Sequence, residues 1–212
     1  MITRTAASAP DRPSVPALTV IDGRPLPASG NVALAASAVV QASLGIEFTL
    51  AALNKLADPN YVANFSSFVS VSPGSAGGPL ALLVQTVVLP NAGVVATLIK
   101  VAELILGPVL LIGALEIWRR RFRGRLGAAH GYEARVAFVA ALAGIAAAGL
   151  SFSIFLLTDG TLPTVMPGRA FTSAIPVELL IVPLGLSVAW LEFGRFVVLR
   201  RRSIQAVVPA NR

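Results

Sequence analysis

The sequence predicts an all-α integral membrane protein, a four-helix bundle with a short interfacial or re-entrant external segment between the first and second spans. Three observations support this prediction. The 212-residue chain is 55% hydrophobic and 13% charged, with a mean hydropathy of +0.78, whereas about 25% of the residues of a soluble domain are charged. Its apolar residues form blocks long enough to cross a hydrocarbon core of ~30 Å as helices. Most of its arginines flank these blocks.

The composition excludes several classes of site. The chain has no cysteine and one histidine, His130. A disulfide, a thiolate metal ligand, an iron–sulfur cluster, a haem held by two histidines and an ordinary multi-histidine metal site are therefore excluded within this chain. A net charge of +7 is compatible with nucleic acid binding, but arginines that flank apolar spans are typical of topology signals. We therefore expect no nucleic acid partner and no intrinsic cofactor.

Residues 1–30 are predicted to be a proline-rich tail. They contain five prolines and three arginines without apolar periodicity, which favours an extended, solvated tail or an arm on a partner subunit over a packed domain. The first span is predicted over residues 31–56, where Ala, Ser and Gly recur and permit close helix packing in lipid. Glu47 is its one acidic residue, and Asn54 and Lys55 mark its far interface.

The connection over residues 57–91 is predicted to contain short elements that do not cross the membrane. The pair Asp58-Pro59 ends the first helix, because a proline disfavours helical geometry in the residue before it. Aromatic residues spaced four and three apart between 61 and 69 share a helical face and indicate a short helix in the interface. The apolar run over 80–90 is too short to span and is expected to re-enter or lie flat.

Three further spans are predicted, over residues 92–118, 137–157 and 171–198. The second ends at Trp118, a residue type typical of the interface, and five arginines follow within seven positions. The third has no charge, and its Ala and Gly content favours tight burial among neighbouring helices. The fourth contains Glu178 and Glu192. The spans make up one transmembrane domain, residues 31–199, and residues 200–212 form a basic C-terminal tail.

The distribution of basic residues predicts the orientation. The tail, the loop over 119–135 and the region from Arg195 onward hold fourteen of the seventeen Lys and Arg residues, whereas the connections on the other side hold Lys55 and Arg169. Short loops rich in Lys and Arg stay in the cytoplasm. We therefore expect a multi-pass protein of the cell's inner (plasma) membrane with both termini cytoplasmic.

Four ionisable residues are predicted to share the outer half of the bilayer. Counted at ~1.5 Å per residue from the outer helix ends, they lie about 10–18 Å deep. They are Glu47, Lys100, Glu103 and Glu178. Each costs about 2.5–3.5 kcal/mol if it faces lipid alone, so we expect mutual pairing around a polar cavity, with Lys100 and Glu103 on one helical face.

Three interpretations of these charges stay open. The groups form buried ion pairs that fix helix register, or they line a pocket for a small ligand or a proton path. In the third interpretation Lys100 extends to the interface and the carboxylates are isolated and protonated. Glu116 and Glu192 are expected at the interface near the inner arginines.

The first two spans contain an ordered set of motifs. A small-residue helix with an aromatic residue is followed by a Lys-Leu pair, an Asp-Pro break and a short aromatic helix, and the second span is a glutamate-glycine helix. The residues concerned are Leu44-Gly45, Phe48, Lys55-Leu56, Asp58-Pro59, Phe65, Phe68, Glu103, Gly107 and Gly113. This order resembles the DoxX/DoxD family of four-helix membrane proteins. The resemblance covers about residues 38–160 and departs from the family at 51–54, where the family often has a glycine before the Lys-Leu pair.

The resemblance implies a membrane subunit of a redox system. DoxD-type chains form the membrane subunit of thiosulfate:quinone oxidoreductase, and DoxX-type chains associate with redox-defence proteins, so quinone becomes the candidate ligand. The candidate residues for quinone or protons are Glu47, Asn54, Lys55, Lys100, Glu103 and Glu178. We expect Lys100 or Asn54 to donate a hydrogen bond to a quinone oxygen and a carboxylate to carry its proton.

The sequence leaves the choice between a catalytic and an accessory role open. No ligands for a redox cofactor are evident, so electrons would come from a partner or directly from a bound donor. The alternative is a non-catalytic subunit of a larger membrane assembly, which packs against other membrane or peripheral subunits. A small transporter is disfavoured, because neither an inverted repeat nor paired broken helices are evident.

Overall fold

The computed structural model describes residues 20–21, 24–25, 28–123, 132–158 and 175–207. The described helices are α1 (Ala28–Ala57), α2 (Tyr61–Val71), α3 (Pro73–Gly77), α4 (Ala81–Leu83), α5 (Ala92–Arg123), α6 (Glu133–Leu157) and α7 (Val177–Val207). Two antiparallel strands of two residues each, β1 (Val20–Ile21) and β2 (Arg24–Pro25), precede them. Helices α1, α5, α6 and α7 are long and apolar enough to cross a membrane, which confirms the predicted all-α four-helix membrane bundle.

The membrane spans largely follow the predicted boundaries. They are Val32–Ala57, Ala92–Arg119, Glu133–Leu157 and Val177–Arg201. The first two match the prediction to within one residue, and the third begins four residues early, because the first turn of a helix accommodates an acidic residue such as Glu133. The fourth begins at Val177. Pro176 disfavours helical geometry at Ile175, and its carbonyl accepts the first hydrogen bonds of the helix.

The predicted tails and loops are described only in part. Helix α7 continues to Val207, so residues 200–207 belong to this helix and not to a C-terminal tail. Helix α1 begins at Ala28, inside the predicted N-terminal tail. Outside the described residues lie most of that tail, part of the basic loop, the loop after the third span and the last residues: 1–19, 22–23, 26–27, 124–131, 159–174 and 208–212.

The connection between the first two spans folds into short helices, of which α2 was predicted as a helix. Helix α2 covers the aromatic segment, and α3 follows after a turn in which the Ser72 hydroxyl donates to the Phe68 carbonyl at 2.6 Å. Pro73 begins α3, where its missing N–H is not needed. Helix α4 runs into five π-helical residues, Val84–Val88. This connection returns the chain to the same end of the bundle, where α5 begins.

The four long helices pack as two close pairs, α1 with α5 and α6 with α7. Gly144 and Gly185 face each other in the second pair. A Cβ atom at Gly144 would lie 2.6 Å from the Gly185 carbonyl oxygen, and one at Gly185 would lie 2.7 Å from that of Gly144. In the first pair, a Cβ atom at Gly107 would overlap the hydroxyl of Thr49. Small residues permit such close approach in membrane helices, whose association depends on van der Waals packing.

An apolar layer joins the two helix pairs near the middle of the bundle. Its buried side chains are Leu44, Phe48, Leu106, Leu110, Ala143, Ala147 and Val188. Helix α6 is the most buried span, and small residues line its buried face, as its Ala and Gly content predicts. Large apolar side chains on the outer surface, such as Leu98, Ile145 and Trp190, are exposed, as expected for a surface that contacts lipid.

Candidate functional site

Lys55 and Glu103 form an ion pair between the end of α1 and the first half of α5. Lys55 Nζ donates a hydrogen bond to Glu103 Oε1 at 2.9 Å and lies 2.7 Å from Oε2, so the ammonium group bridges both carboxylate oxygens. The Glu103 side chain is 4% exposed, whereas that of Lys55 is 24% exposed. The pair is therefore accessible from the side of the lysine only.

The turn between α1 and α2 positions a third residue, Tyr61, next to this pair. Asp58 Oδ1 accepts a hydrogen bond from the Asn60 backbone N–H at 2.8 Å. Asp58 Oδ2 accepts one from Asn64 Nδ2, also at 2.8 Å. An aspartate that binds the backbone two residues ahead fixes a tight turn. Helix α2 consequently begins at Tyr61 and packs over the start of α5.

The buried hydroxyl oxygen of Tyr61 has no hydrogen-bond partner among the described residues. Burial, together with the negative charge of Glu103, raises the pKa of Tyr61 to about 12. The hydroxyl therefore keeps its proton near neutral pH and remains a donor. The Lys100 ammonium lies 5.7 Å from the centre of the Tyr61 ring, which is a cation–π distance. Lys55, Tyr61, Lys100 and Glu103 are referred to below as the Tyr61 cluster.

The Tyr61 cluster contains three of the six predicted site residues, in a different arrangement from the predicted one. Glu103 pairs with Lys55 and not with Lys100, although Lys100 and Glu103 share a face of α5. Lys100 instead extends over the Tyr61 ring. The spacing along one helix gives no information about the lysine that the facing helix supplies. Tyr61 itself was predicted only as part of an interfacial helix, although its position directly after the Asp58-Pro59 break places it near the end of α1.

The other three predicted site residues lie elsewhere. Glu47 and Asn54 are exposed on the outer surface of α1, and Glu178 is half-buried in the first turn of α7. The expectation that Glu47 pairs with Lys100, Glu103 and Glu178 around one polar cavity is therefore wrong for Glu47, whose side chain is exposed. Residue counting gives the height of a side chain along its helix, but the face that a neighbouring helix covers depends on packing.

A second polar cluster lies in the other half of the bundle. Gln41 Nε2 donates hydrogen bonds to Glu192 Oε1 and to Ser37 Oγ, each at 3.0 Å. Arg195 Nη1 donates to Glu192 Oε2 at 3.1 Å. Gln41 and Glu192 are fully buried. Glu192 pairs with an arginine as expected, and this arginine is Arg195 within the bundle. These four residues, referred to below as the Gln41 cluster, connect α1 to α7 and thereby join the two helix pairs.

Helix α5 completes the surroundings of the Gln41 cluster. Gly113 leaves space for Gln41, because a Cβ atom there would overlap Gln41 Oε1. Glu116, one turn further along α5, is buried as well. Among the described residues, Gln41 Oε1, Glu116 Oε1 and Arg195 Nη2 are buried without a hydrogen-bond partner, a pattern that internal water commonly satisfies. In the sequence, this cluster is indicated by Ser37 and Gln41, two polar residues that are four apart and therefore share one face of α1.

The apolar layer separates the two clusters. Lys55 and Gln41 are fourteen residues apart, or ~21 Å along α1, and the buried side chains of Leu44 and Phe48 lie between them. An open apolar groove on α7, lined by Leu186, Ser187, Trp190 and Leu191, contains none of the charged residues. The two clusters are therefore separate sites within the described bundle.

The Tyr61 cluster is the better candidate for a ligand site. It combines one hydroxyl donor, two ammonium groups and one carboxylate, and the exposed side of Lys55 gives access to it. Among the described residues no group of three or more His, Asp or Glu side chains is arranged to hold a metal ion. Comparisons of the chain with protein-family models, with characterised proteins and with solved structures return no match.

Proposed function

We propose that the protein is a membrane subunit of a redox system and that it binds the headgroup of a quinone at the Tyr61 cluster. The observation that carries this proposal is the buried Tyr61 hydroxyl without a partner. A buried donor left unsatisfied costs about 1–3 kcal/mol, and an acceptor oxygen supplied by a ligand removes that cost. Quinone carbonyl oxygens are such acceptors, and the molecule reaches the cluster from the lipid.

The charged residues of the cluster suit the same ligand. Lys55, which is paired with Glu103, and Lys100, which lies over the Tyr61 ring, add two ammonium donors to the cluster. The Glu103 carboxylate, held by Lys55, is available to exchange a proton with the bound headgroup. The raised pKa of Tyr61 keeps its hydroxyl in the donating form. Binding and orientation are thus assigned to Tyr61 and the two lysines, and proton exchange to Glu103.

A bound quinone supplies the capacity to take up two electrons and two protons. The chain has no cysteine and one histidine, so we assign the electron supply to a partner subunit or to a donor that binds beside the cluster. The role of this chain is to hold the headgroup, to exclude water around it and to deliver protons through Glu103. The resemblance to the DoxX/DoxD pattern supports this assignment, since Lys55 and Glu103 belong to that pattern.

Quinone retention tests the proposal. The protein is extracted from membranes that contain ubiquinone or menaquinone, and the quinone per protein molecule is measured after purification. Tyr61→Phe should lose most of the bound quinone while the protein remains folded, because one donor is removed and the ring shape is kept. Tyr132→Phe, a matched change of the only other tyrosine at the opposite end of the bundle, should retain it. Full retention by Tyr61→Phe would reject the assignment.

The orientation proposed from the arginines places the Tyr61 cluster near the outer face of the inner membrane, with both termini in the cytoplasm. The chain lacks cysteine, so single cysteines report on topology directly. Gly77→Cys is suitable, because Gly77 is exposed and a Cβ atom there has nothing within 4 Å; Gly127→Cys marks the basic loop. In intact cells an impermeant thiol reagent should label the first and spare the second. The reverse pattern would overturn the proposed orientation.

A second candidate is a non-catalytic subunit of a larger membrane assembly. This candidate is favoured by Glu47, whose side chain is exposed in the middle of a span. In an isolated chain this carboxyl group would face lipid without a partner, which is energetically costly. The two candidates differ in what the purified chain retains. A quinone-binding chain retains quinone without any partner, whereas an accessory chain retains none and is stable only with its complex.

A further inference from the structure

Glu47 lies deep in the membrane and faces outward. It is ten residues from Ala57 and fifteen from Val32, the two ends of its span, or ~15 Å and ~22 Å along the helix. Its side chain is exposed, and no hydrogen bond or ion pair within the described part of the chain involves it. The exposed neighbours Ile46 and Leu50 are apolar, so in an isolated chain the carboxyl group would face lipid without a charged partner.

Glu47 belongs to a polar stripe along the outer surface of α1. Ser43 lies four residues before it and Asn54 seven residues after it, and both are exposed. These spacings recur on one face of a helix. The opposite face of α1, which includes Leu44 and Phe48, is buried in the apolar layer. Ser43, Glu47, Leu50 and Asn54 are referred to below as the Glu47 face.

We infer that the Glu47 face binds a transmembrane helix of a different subunit that carries a basic side chain at the depth of Glu47. Ionisable residues inside membrane spans almost always face the interior of a bundle and pair with one another. Because Glu47 lies on the outer surface of this bundle, another molecule has to cover it and supply its partner. The small side chain of Ser43 permits close approach of a second helix at this point, as small and polar residues do in membrane interfaces.

Charge complementarity determines the kind of partner. In the described spans, the exposed basic residues all stand at the end of the bundle far from the Tyr61 cluster; they are Arg119, Arg135, Arg200 and Arg201. Lys55 and Lys100 are already engaged in the Tyr61 cluster. A second copy bound through the same face would set one Glu47 carboxyl group against another. A lysine or arginine on another subunit therefore fits the face better than any surface formed by the described spans of a second copy.

This inference rests on the proposed role as a subunit of an assembly and not on quinone binding, so a failed quinone assay leaves it intact. The test uses the full chain in lipid vesicles, with a donor dye on Gly77→Cys. Single-span peptides of leucine and alanine carry an acceptor dye and differ only in the central residue, which is Lys or Leu. Energy transfer measures their association with the protein. The Lys peptide should bind about tenfold more tightly than the Leu peptide.

Variants of the chain decide whether Glu47 is responsible. Glu47→Leu, which places an ordinary apolar residue toward lipid, should remove the preference for the Lys peptide. Glu47→Lys should transfer the preference to a peptide with a central Glu. Glu178→Gln, the matched removal of another intramembrane carboxylate, should leave it unchanged. Equal binding of the Lys and Leu peptides, or a preference that survives Glu47→Leu, would overturn the inference.

The same dyes test the competing occupant. Chains labelled with donor and chains labelled with acceptor are mixed in vesicles without peptide. Energy transfer between copies that disappears in Glu47→Leu would show that a second copy occupies the face, and would overturn the inference of a basic partner. Absence of such transfer, together with binding of the Lys peptide, supports it.

Discussion

The Tyr61 cluster and the Gln41 cluster use similar residue types but differ in access. In the Gln41 cluster, Glu192 is fully buried and each of its carboxylate oxygens accepts a hydrogen bond, one from α1 and one from α7. In the Tyr61 cluster, Lys55 is about a quarter exposed, and the Tyr61 hydroxyl has no partner. The Gln41 cluster joins the two helix pairs, whereas the Tyr61 cluster lies between α1, α2 and α5 only.

This difference indicates a division of roles within one small bundle. A buried polar network that links helices specifies their register and is costly to disrupt. A network that keeps an unsatisfied donor next to an accessible lysine has the capacity to bind a ligand. We therefore expect changes in the Gln41 cluster to affect stability most strongly, and changes in the Tyr61 cluster to affect binding.

The largest effect on stability is expected for Glu192→Leu. The Arg195 side chain is 6% exposed, so this change leaves a guanidinium group buried without its partner. Breaking a buried pair in this way costs about 3–5 kcal/mol. Reversible unfolding in mixed detergent micelles measures the loss. The double change with Arg195→Leu should recover most of it, and a loss below about 1 kcal/mol for the single change, the range of exposed pairs, would contradict a structural role.

A smaller loss of stability is expected for Glu103→Gln. The remaining Lys55 ammonium is 24% exposed and is able to turn toward water, so the cost should be about 1–2 kcal/mol, between the values for exposed and buried pairs. Adding Lys55→Met should restore stability, and adding Lys100→Met should not, because Lys100 does not pair with Glu103. A loss as large as that of Glu192→Leu would remove the distinction between the clusters.

The smallest effect concerns the ionisation of Tyr61. Its pKa is raised from 10.0 to about 12 by burial and by Glu103, so its neutral form contributes stability fully below pH 10 and loses this contribution as the pH rises through about 12. Absorbance of tyrosinate in an alkaline titration should show a phase near pH 12 that disappears in Tyr61→Phe and persists in Tyr132→Phe. A single ordinary phase for both tyrosines would mean that the Tyr61 hydroxyl is solvated.

The sequence predicted the bundle well, because its signals are local. The lengths of the apolar segments predicted the four spans. The Asp58-Pro59 break and the spaced aromatic residues predicted α2. The Ala and Gly content of the third span predicted that α6 is buried among its neighbours. The structure differs at helix ends. Helix α1 begins at Ala28, the third span begins at Glu133, the fourth begins at Val177, and α7 continues to Val207.

The sequence predicted the site less well, because pairing between helices is not a local property. Residue counting correctly placed Lys100 and Glu103 at similar depths in the membrane. The lysine that pairs with Glu103, however, comes from α1. The Gln41 cluster depends on an uncharged amide that reaches across to α7, into a space that Gly113 leaves open. Glu47 was expected at a depth similar to that of Glu103, but its side chain lies on the outer surface of α1. In each case the sequence does not show how a helix is rotated about its axis. This rotation decides which side chains face a neighbouring helix, and it depends on packing.

A quinone-induced change in melting temperature tests the central claim most directly, since a ligand that binds only the folded state stabilises it. A short-chain quinone is added to the purified protein, to Tyr61→Phe and to Gln41→Leu, and each Tm is compared with that of the same variant without quinone. The division of roles predicts a Tm increase for the unmodified protein, none for Tyr61→Phe, and an undiminished increase for Gln41→Leu despite its lower starting Tm. An increase that persists in Tyr61→Phe, or one that is lost in Gln41→Leu while that variant remains folded, would contradict it.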